Sequence, residues 1–314
     1  MPPAAARTAG AVRAVIAGED LATAAAQACL TADNVADAID AYHIAGTIAL
    51  EQRDASRWYQ VRVRLVDQHA AERTLAMVIG PRIDGFIDSG GASGWWFMRK
   101  EPGLRIRLLD ADTDAAAHLF SELVADGTIA EWTRATYEPE TAAFGGDESM
   151  EIVHALFQAD TSGILSYLRH EYPPFGRREM SLLLISAMLA GAGLDWFERG
   201  DVFFRTAAMR PSQVDAVKLA DLTEQLTSLL IVPAGGGSPL FTDDGPAAFA
   251  TDWRKAFEEA GRRFAAAAAS GALSRGLRAT LAHVLIFHWN RFGLSAATQA
   301  ILANAAARAC IPVD

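Results

Sequence analysis

The fold is decided by residues 95–108, WWFMRKEPGLRIRL. Pro102-Gly103 separates two runs of alternating residue types, which is the pattern of a β-hairpin. In the second run the leucine and isoleucine residues share one face of the strand, so Arg105 and Arg107 share the other. The stretch therefore predicts a sheet with a basic face, next to Trp95 and Trp96.

The segments around this hairpin complete a sheet. Residues 58–65 alternate with period two and place Arg62 and Arg64 on the polar face of a strand. Residues 70–80 are predicted to form a helix that ends at Gly80-Pro81. A second helix over 112–125 and a last strand over 129–137 follow. The order β-α-β-β-α-β is that of the ferredoxin-like split βαβ arrangement.

The pattern predicts an α+β protein with three regions. Residues 1–55 read as short helices and form a small N-terminal helical cap, and 56–146 form the split βαβ sheet subdomain. Residues 147–314 are mainly helical, with helices over 149–156, 162–170, 177–190, 214–231 and 246–268 and a last one from about 273. We expect the chain to form one compact catalytic unit.

Composition and charge exclude several classes of protein. The 314 residues carry a formal charge of −10, which disfavours a nucleic-acid partner because phosphate binding needs a basic surface. A helix-turn-helix motif is also disfavoured, because the third predicted helix and its cap contain three aspartates and no lysine or arginine. Cys29 and Cys310 fit neither a disulfide framework nor a zinc site. No signal peptide is recognisable, and the longest apolar run, 182–192, is too short to span a bilayer. We therefore expect a cytoplasmic protein.

The common cofactor motifs are missing from the sequence. It contains no Walker loop, no dinucleotide-binding glycine pattern, no HExxH and no Gly-x-Ser-x-Gly. Its seven histidines are scattered, so we expect neither a metal nor another cofactor. With these cofactor chemistries excluded, acid–base catalysis and peptide binding remain as possible functions.

Six cations fall on the predicted strands: Arg62, Arg64, Arg99, Lys100, Arg105 and Arg107. Residues 58–107 contain eight Lys and Arg against five Asp and Glu, a local charge of +3 in an acidic chain. Such a face suits an acidic peptide segment, since charge-assisted hydrogen bonds are strong. A solvated face paired with nearby carboxylates is an equally good interpretation.

A second informative stretch is residues 287–294, FHWNRFGL. His288 continues a row of leucines spaced three or four apart, so it lies on the buried stripe of its helix. Arg291 follows one turn later and would reach the same cleft. A histidine on an apolar stripe is more often a hydrogen-bonded core residue than a catalyst, but its partial burial would also suit acid–base work.

Four stretches together resemble one protein family. They are residues 95–108, 136–146 (TYEPETAAFGG), 157–161 (FQADT) and 287–294, in that order. They resemble the C-terminal, elimination-type domain of class I lantibiotic dehydratases and the stand-alone thiopeptide-type bacteriocin biosynthesis proteins. The resemblance extends from about residue 58 to about residue 294.

The resemblance implies one of three activities on a precursor peptide. Elimination domains remove glutamate from glutamylated Ser or Thr, whereas pyridine synthases join two dehydroalanines in a formal aza-[4+2] cycloaddition and expel water and the leader peptide. A third branch uses aminoacyl-tRNA and usually needs a large additional domain. Pro139, with Glu140 beside it, stands where elimination members typically carry an arginine for the glutamate. This favours pyridine synthesis over elimination. A non-catalytic leader-binding partner protein is a further alternative.

Under the pyridine synthase interpretation, the resemblance assigns roles to the residues singled out above. His288 is the expected acid–base residue, with Asn290 and Arg291 polarising substrate carbonyls. Trp95 and Trp96 would stack on thiazole rings. The basic sheet would hold an acidic leader peptide. The implied partners are the precursor peptide and other enzymes of the pathway.

Overall fold

The computed structural model describes residues 4–212, 216–233 and 237–311. The chain divides into two compact units, residues 1–57 and residues 58–314. The boundary at Arg57 and Trp58 lies two residues after the end of the predicted helical cap. The further division of 56–314 at residue 146 stays a prediction.

The first unit is helical. It contains α1 (Ala4–Ile16), α2 (Leu21–Ala28) and α3 (Ala32–Ser56). Asp20 caps α2, because its carboxylate accepts a hydrogen bond from the Thr23 amide at 3.0 Å. The Thr31 hydroxyl accepts a hydrogen bond from the Asn34 amide at 3.2 Å and so caps α3. A small alanine-rich core holds the three helices together.

The second unit begins with a four-stranded antiparallel sheet. Its strands are β1 (Trp58–Leu65), β2 (Gly94–Lys100), β3 (Gly103–Leu109) and β4 (Ile129–Ala135), in the order β2-β3-β1-β4. The connection from β1 to β2 contains α4 (Ala71–Thr74) and α5 (Gly80–Asp88), and the connection from β3 to β4 contains α6 (Thr113–Ala125). The predicted split βαβ arrangement is therefore confirmed.

The two faces of this sheet have different coverings. On the first face Val61, Ile106 and Phe97 lie side by side in neighbouring strands and are fully buried under α5 and α6. On the second face Gln60, Arg107 and Trp96 lie side by side in the same way. This face is apolar only near Trp96, where a helix of the C-terminal region covers it.

The helix predicted over residues 70–80 does not end at Gly80-Pro81. A π-helical turn over Leu75–Ile79 joins α4 directly to α5. Pro81 has no backbone N–H, and the carbonyl of Ala76, five residues earlier, accepts a hydrogen bond from Arg169 Nε at 3.0 Å instead. A Cβ on Gly80 would lie 2.7 Å from the end of the Leu165 side chain, which would have to shift.

The rest of the second unit is helical. It consists of α7 (Thr141–Phe144), α8 (Asp147–Arg169), α9 (Arg177–Gly191), α10 (Trp196–Ala208), α11 (Ala216–Ile231), α12 (Thr251–Ala269), α13 (Leu277–Arg291) and α14 (Ala296–Cys310). The sequence pattern did not predict α7, α10 and α14, and it divided α8 into two. Helix α8 is continuous through the expected break at 157–161, because Phe157, Asp160 and Thr161 are buried there and the Thr161 hydroxyl donates to the carbonyl of Phe157 at 2.8 Å.

Helix α9 lies at the centre of the large core. Residues 180–189 of α9 are buried on every side, which explains why this segment is the longest apolar run of the sequence. Helices α9 and α12 approach closely through Gly191 and Gly261, whose Cβ positions face backbone carbonyls of the opposite helix. In the described residues, we find no helix that is long and apolar enough to cross a membrane.

Candidate active site

A sealed polar network occupies the core where α8, α9, α12, α13 and the sheet meet. It centres on Asp160 of α8, His288 and Arg291, whose side chains are at most 1 % exposed. One carboxylate oxygen of Asp160 accepts hydrogen bonds from Trp253 Nε1 at 2.8 Å and from His288 Nδ1 at 3.0 Å. The other accepts from Arg291 at 2.8 Å. The network is named here the Asp160 network.

Arg291 ties the helices to the sheet. Its Nε donates to the carbonyl of Phe97 in β2 at 2.9 Å, and one Nη donates to the carbonyl of Phe157 at 2.6 Å and to the Thr161 hydroxyl. Burial lowers the pKa of Arg291 to about 10, although the charge of Asp160 acts in the opposite direction. Burial alone would raise the pKa of Asp160, but its interactions with His288 and Arg291 bring it below its ordinary value.

The hydrogen bonds of His288 are all used inside this network. Ser181 accepts a bond from Trp289 Nε1 at 2.7 Å, which leaves its own proton to donate to His288 Nε2 at 3.0 Å. His288 Nδ1 then donates to Asp160. The expectation that His288 and Arg291 line an accessible cleft is not met, because both side chains are enclosed by protein atoms. Their arrangement is that of a buried structural network.

Asn290 lies on a different side of α13 and is half-buried. Its Oδ1 accepts hydrogen bonds from Gln299 at 2.9 Å and from Arg210 at 3.5 Å. The same half-buried stripe of α13 contains His283 and Phe287. Asn290 thus belongs to a polar contact with α14 and not to the Asp160 network.

The two tryptophans of the hairpin are both buried. Trp95 faces α5 on the first face of the sheet, where its Nε1 donates to Asp84 at 2.9 Å. Trp96 lies on the second face and packs on Phe157 of α8, with 4.9 Å between ring centroids. Neither ring is exposed enough to stack on a bound thiazole in this structure. The expected stacking role is therefore not supported for these two residues.

The predicted basic face is divided by the fold. Arg62 and Arg105 lie directly opposite each other on β1 and β3, exposed and half-buried respectively. Arg64 pairs with Glu131 at 2.8 Å on the surface. Arg99 points to the first face instead, where it contacts Glu72 at 3.0 Å and donates to the carbonyl of Arg291 at 2.9 Å.

Unlike the other arginines on the second face of the sheet, Arg107 is buried, with only 6 % of its surface exposed. Its Nε donates to Gln60 at 2.7 Å, and its guanidinium lies 4.0 Å from the Trp96 ring centroid and 4.4 Å from that of Tyr137. One of its Nη atoms is buried without a hydrogen bond to any residue that the structure describes. Burial lowers the pKa of Arg107 to about 10.

Tyr137 and His154 form a hydrogen-bonded pair beside Arg107. The Tyr137 hydroxyl and His154 Nε2 are 2.8 Å apart, and the His154 ring packs at 4.8 Å on Trp58. His154 is half-buried, in contrast to the enclosed His288. Burial raises the pKa of Tyr137, which keeps its hydroxyl protonated at neutral pH, even though the charge of Arg107 acts in the opposite direction.

A carboxylate joins this pair to a second histidine. Glu140 is exposed, yet its charge is close enough to raise the pKa of Arg107 against the larger effect of burial. It also adds to the effect of burial in raising the pKa of Tyr137. On its other side Glu140 lies 3.5 Å from Nε2 of His283. Burial lowers the pKa of His283, and the neighbouring Glu140 only partly offsets this. The name catalytic cluster is used below for Arg107, Tyr137, Glu140, His154 and His283.

The catalytic cluster contains a hydrogen-bond donor, an acceptor and a carboxylate, and aromatic side chains surround them. Such a set suits proton transfer to and from amide groups. Among the described residues, no group of three or more His, Cys, Asp or Glu side chains could hold a metal ion. Sequence reasoning missed Tyr137, His154 and His283 as site residues. Tyr137 and Glu140 lie in the family-like stretch at 136–146, but nothing in the sequence pattern joins them to a histidine of α8.

Comparison with known proteins gives a consistent result. Residues 58–310 match the family model of the lantibiotic biosynthesis dehydratase C-terminal domain. No curated protein sequence is similar enough to be recognised as a relative.

Three solved structures share the fold. The crystal structure of the tRNA-dependent lantibiotic dehydratase MibB from Microbispora sp. 107891 matches with a TM-score of 0.61 and 21 % identity. The match covers 81 % of this chain but only 28 % of MibB. TsrL has a TM-score of 0.55 and 16 % identity over 80 % of this chain and 93 % of its own. TbtD, the pyridine synthase from thiomuracin biosynthesis, has a TM-score of 0.53 and 17 % identity over 82 % and 98 %.

These identities are too low to transfer an activity, but the family match extends over most of the chain, from β1 to the end of α14. It includes every residue of the Asp160 network and of the catalytic cluster. The chain therefore belongs to the family of the lantibiotic biosynthesis dehydratase C-terminal domain.

Proposed function

We propose that this protein is a peptide-modifying enzyme that forms a thiopeptide pyridine ring from two dehydroalanine residues of one precursor peptide. The hydrogen-bonded pair of Tyr137 and His154 is the observation that carries this proposal. The fold shared with the pyridine synthase TbtD, over 82 % of this chain and 98 % of that one, supports it.

The pair suits the proton transfers that pyridine formation requires. The amide of one dehydroalanine must become its iminol tautomer, so a proton leaves the amide nitrogen while another reaches the carbonyl oxygen. In our proposal Tyr137 donates to the oxygen, His154 accepts from the nitrogen, and the bond between them returns the proton to Tyr137. Arg107 stabilises the charge that develops on the oxygen. The later losses of water and of the leader amide need an acid, a role we propose for the Tyr137 hydroxyl, which burial keeps protonated.

Glutamate elimination is the second candidate function. Arg62 and Arg105, opposite each other on the sheet, are suitably placed to hold a glutamate carboxylate. Glu140 argues against this function, because it places a negative charge beside Arg107, where a leaving glutamate would have to be bound. We therefore favour pyridine synthesis.

Mass spectrometry of two peptides after incubation with the enzyme separates these functions. From a dehydrated, azole-containing precursor, we expect a product that has lost water and the leader peptide. A glutamylated precursor should stay unchanged. Loss of glutamate from the second peptide, with no change in the first, would instead establish elimination.

Tyr137→Phe tests the role of the pair within that assay. The substitution keeps the ring and removes the hydroxyl, so we expect turnover to fall by about 10²–10⁴ while the melting temperature stays close to that of the wild type. Tyr59→Phe is the matched control, since Tyr59 is equally buried but lies on the first face of the sheet. Equal turnover in the two variants would remove Tyr137 from the mechanism.

A further inference from the structure

A groove of about 880 Å³ lies at the other end of α8 from the catalytic cluster. One wall is formed by His69, just before α4, and Arg73 within it, and Met77 of the π-helical turn forms the floor. The other wall is formed by Leu168 and the two residues that follow it at the end of α8. No residue of the groove belongs to the catalytic cluster or to the Asp160 network.

The π-helical turn gives the groove its apolar floor. The turn buries Leu75, Ala76 and Ile79, but it leaves the side chain of Met77 56 % exposed. Arg169 fixes the distance between the walls, because its Nε donates to the carbonyl of Ala76 at 3.0 Å. A π-helical turn at a fixed position is a frequent mark of a functional site. The groove is therefore a shaped feature of the fold with an exposed thioether on its floor.

The charge of the groove is opposite to that of the whole protein. Its walls carry three arginines and two glutamates, a formal charge of +1 with both histidines neutral, in a chain of −10. Glu72 is already neutralised by Arg177 at 2.8 Å and by Arg99. Arg73 is exposed, and within the described part of the chain its side chain makes no hydrogen bond or ion pair. Arg73 is thus a cation that is available to a ligand.

We propose that this groove docks an acidic, amphipathic segment of the peptide substrate, separate from the segment that reacts at the catalytic cluster. Carboxylates of the segment would pair with Arg73 and the nearby histidines, while its apolar side chains cover Met77 and Leu168. The proposal rests on the proposed function for the identity of the substrate as a peptide. It assigns the docking role to this groove and not to the second face of the sheet.

Helix α8 determines the distance between the docking groove and the catalytic cluster. His154 and Arg169 are fifteen residues apart in one helix, which corresponds to about 22 Å at 1.5 Å per residue. An extended peptide covers about 3.3 Å per residue, so roughly seven residues are needed to join the two sites. A substrate with a shorter connection would not reach the cluster while it is docked.

Fluorescence anisotropy tests the docking without any turnover. The probe is a fluorescein-labelled peptide in which pairs of leucines alternate with pairs of glutamates, and its partner probe has lysine in place of glutamate. We expect the wild type to bind the acidic probe at least about tenfold more tightly than the basic one. Arg73→Glu should weaken the binding of the acidic probe by about tenfold or more. Arg263→Glu makes an equal charge change on the exposed side of α12, and it should change the affinity for that probe by less than about twofold. Equal effects of the two variants, or no preference between the probes, would overturn the proposal.

A spacer series tests the distance. Precursor peptides would carry the acidic segment and the reacting residues separated by progressively shorter glycine-serine spacers. We expect product formation to be lost below roughly seven spacer residues, with anisotropy unchanged. If the anisotropy preference holds but no precursor is converted at any spacer length, the proposed function fails and the docking stands. If precursors are converted equally at all lengths, the docking site is not used in the reaction.

Discussion

Asp160 is the residue on which most of the buried charge depends. Its carboxylate accepts three side-chain hydrogen bonds and is the counter-ion of a guanidinium that has no contact with solvent. Removing one partner of such a pair leaves the other charge buried and uncompensated, which typically costs about 3–5 kcal/mol. The network therefore has a direct and measurable influence on stability.

Asp160→Asn should lower the free energy of unfolding by about 3–5 kcal/mol, because Arg291 would then be a buried unpaired cation. Urea unfolding measures this change. Glu151→Gln is the matched control on an exposed position of the same helix, and we expect it to change stability by less than about 0.5 kcal/mol. Similar values for the two variants would show that Arg291 finds another counter-ion.

The same pair of proteins gives a pH test. Because the pKa of Asp160 is lower in the folded protein than in the unfolded chain, the unfolded state binds more protons on acidification. The stability that ionised Asp160 contributes is therefore fully present above the ordinary carboxylate pKa, about 3.9. It is lost as the pH falls through the lower pKa that Asp160 has in the folded protein. We expect the difference in unfolding free energy between the wild type and Asp160→Asn to shrink below about pH 4. A constant difference would contradict the assignment.

His288 and His154 make a matched pair of histidines with opposite expected roles. His288→Phe removes the partner of Asp160 and Ser181, so it should destabilise the protein by about 1–3 kcal/mol for each buried group left unpaired. His154→Phe leaves one hydroxyl, that of Tyr137, without this partner, so it should cost less stability than His288→Phe and abolish most of the turnover. Differential scanning calorimetry and the mass-spectrometric assay measure the two effects. Loss of turnover in a stable His288→Phe variant, with normal turnover in His154→Phe, would instead indicate that His288 is the catalytic histidine.

At the scale of elements, close contacts between backbones determine how α9 and α12 pack. A Cβ on Gly261 would lie 2.0 Å from the carbonyl oxygen of Met188, and one on Gly191 would lie 2.1 Å from that of Glu258. Neither carbonyl is free to move, because each belongs to a regular helix. These glycines are therefore needed for the approach of the helices and not for an unusual backbone angle.

Gly261→Ala should destabilise the protein by about 1–3 kcal/mol, since overpacking outweighs the gain in helix propensity. Gly85→Ala is the control, because Gly85 is exposed in α5 and nothing lies within 4 Å of its Cβ position. Alanine is the better helix former there, so we expect a stabilisation of about 0.5–1 kcal/mol. Shifts of the urea midpoint in opposite directions would support this, and a stabilised Gly261→Ala would refute it.

At the scale of the molecule, the two units have separate hydrophobic cores. The large core contains only residues from Trp58 onward, and the small one only residues of the first unit. The family match likewise begins at residue 58. A unit with its own complete core is expected to fold by itself.

A protein consisting of residues 58–314 should therefore unfold in one cooperative transition, with a melting temperature within a few degrees of the corresponding transition of the whole chain. Calorimetry and near-ultraviolet circular dichroism measure this. A broad transition without fixed tertiary structure would mean that the large core depends on the first unit.

The sequence by itself determined the local structure and the family. Alternation over 58–65 and 95–108 predicted the strands and which of their residues share a face, since the side-chain period of a strand is two. The leucine row in α13 correctly placed His288 on the buried side. The motifs at 95–108, 136–146, 157–161 and 287–294 identified the family that the match over 58–310 then established.

Only the tertiary structure decided what covers each face. Periodicity predicted that Arg105 and Arg107 share a face, but Trp96 and Tyr137 cover Arg107 and leave Arg105 half-buried. The placement of α8 brings His154 to Tyr137. A repeat in the sequence specifies the direction of a side chain relative to its own element, whereas burial and hydrogen bonding depend on the element packed against it. The polar face of the sheet was therefore predictable, and the site built on it was not.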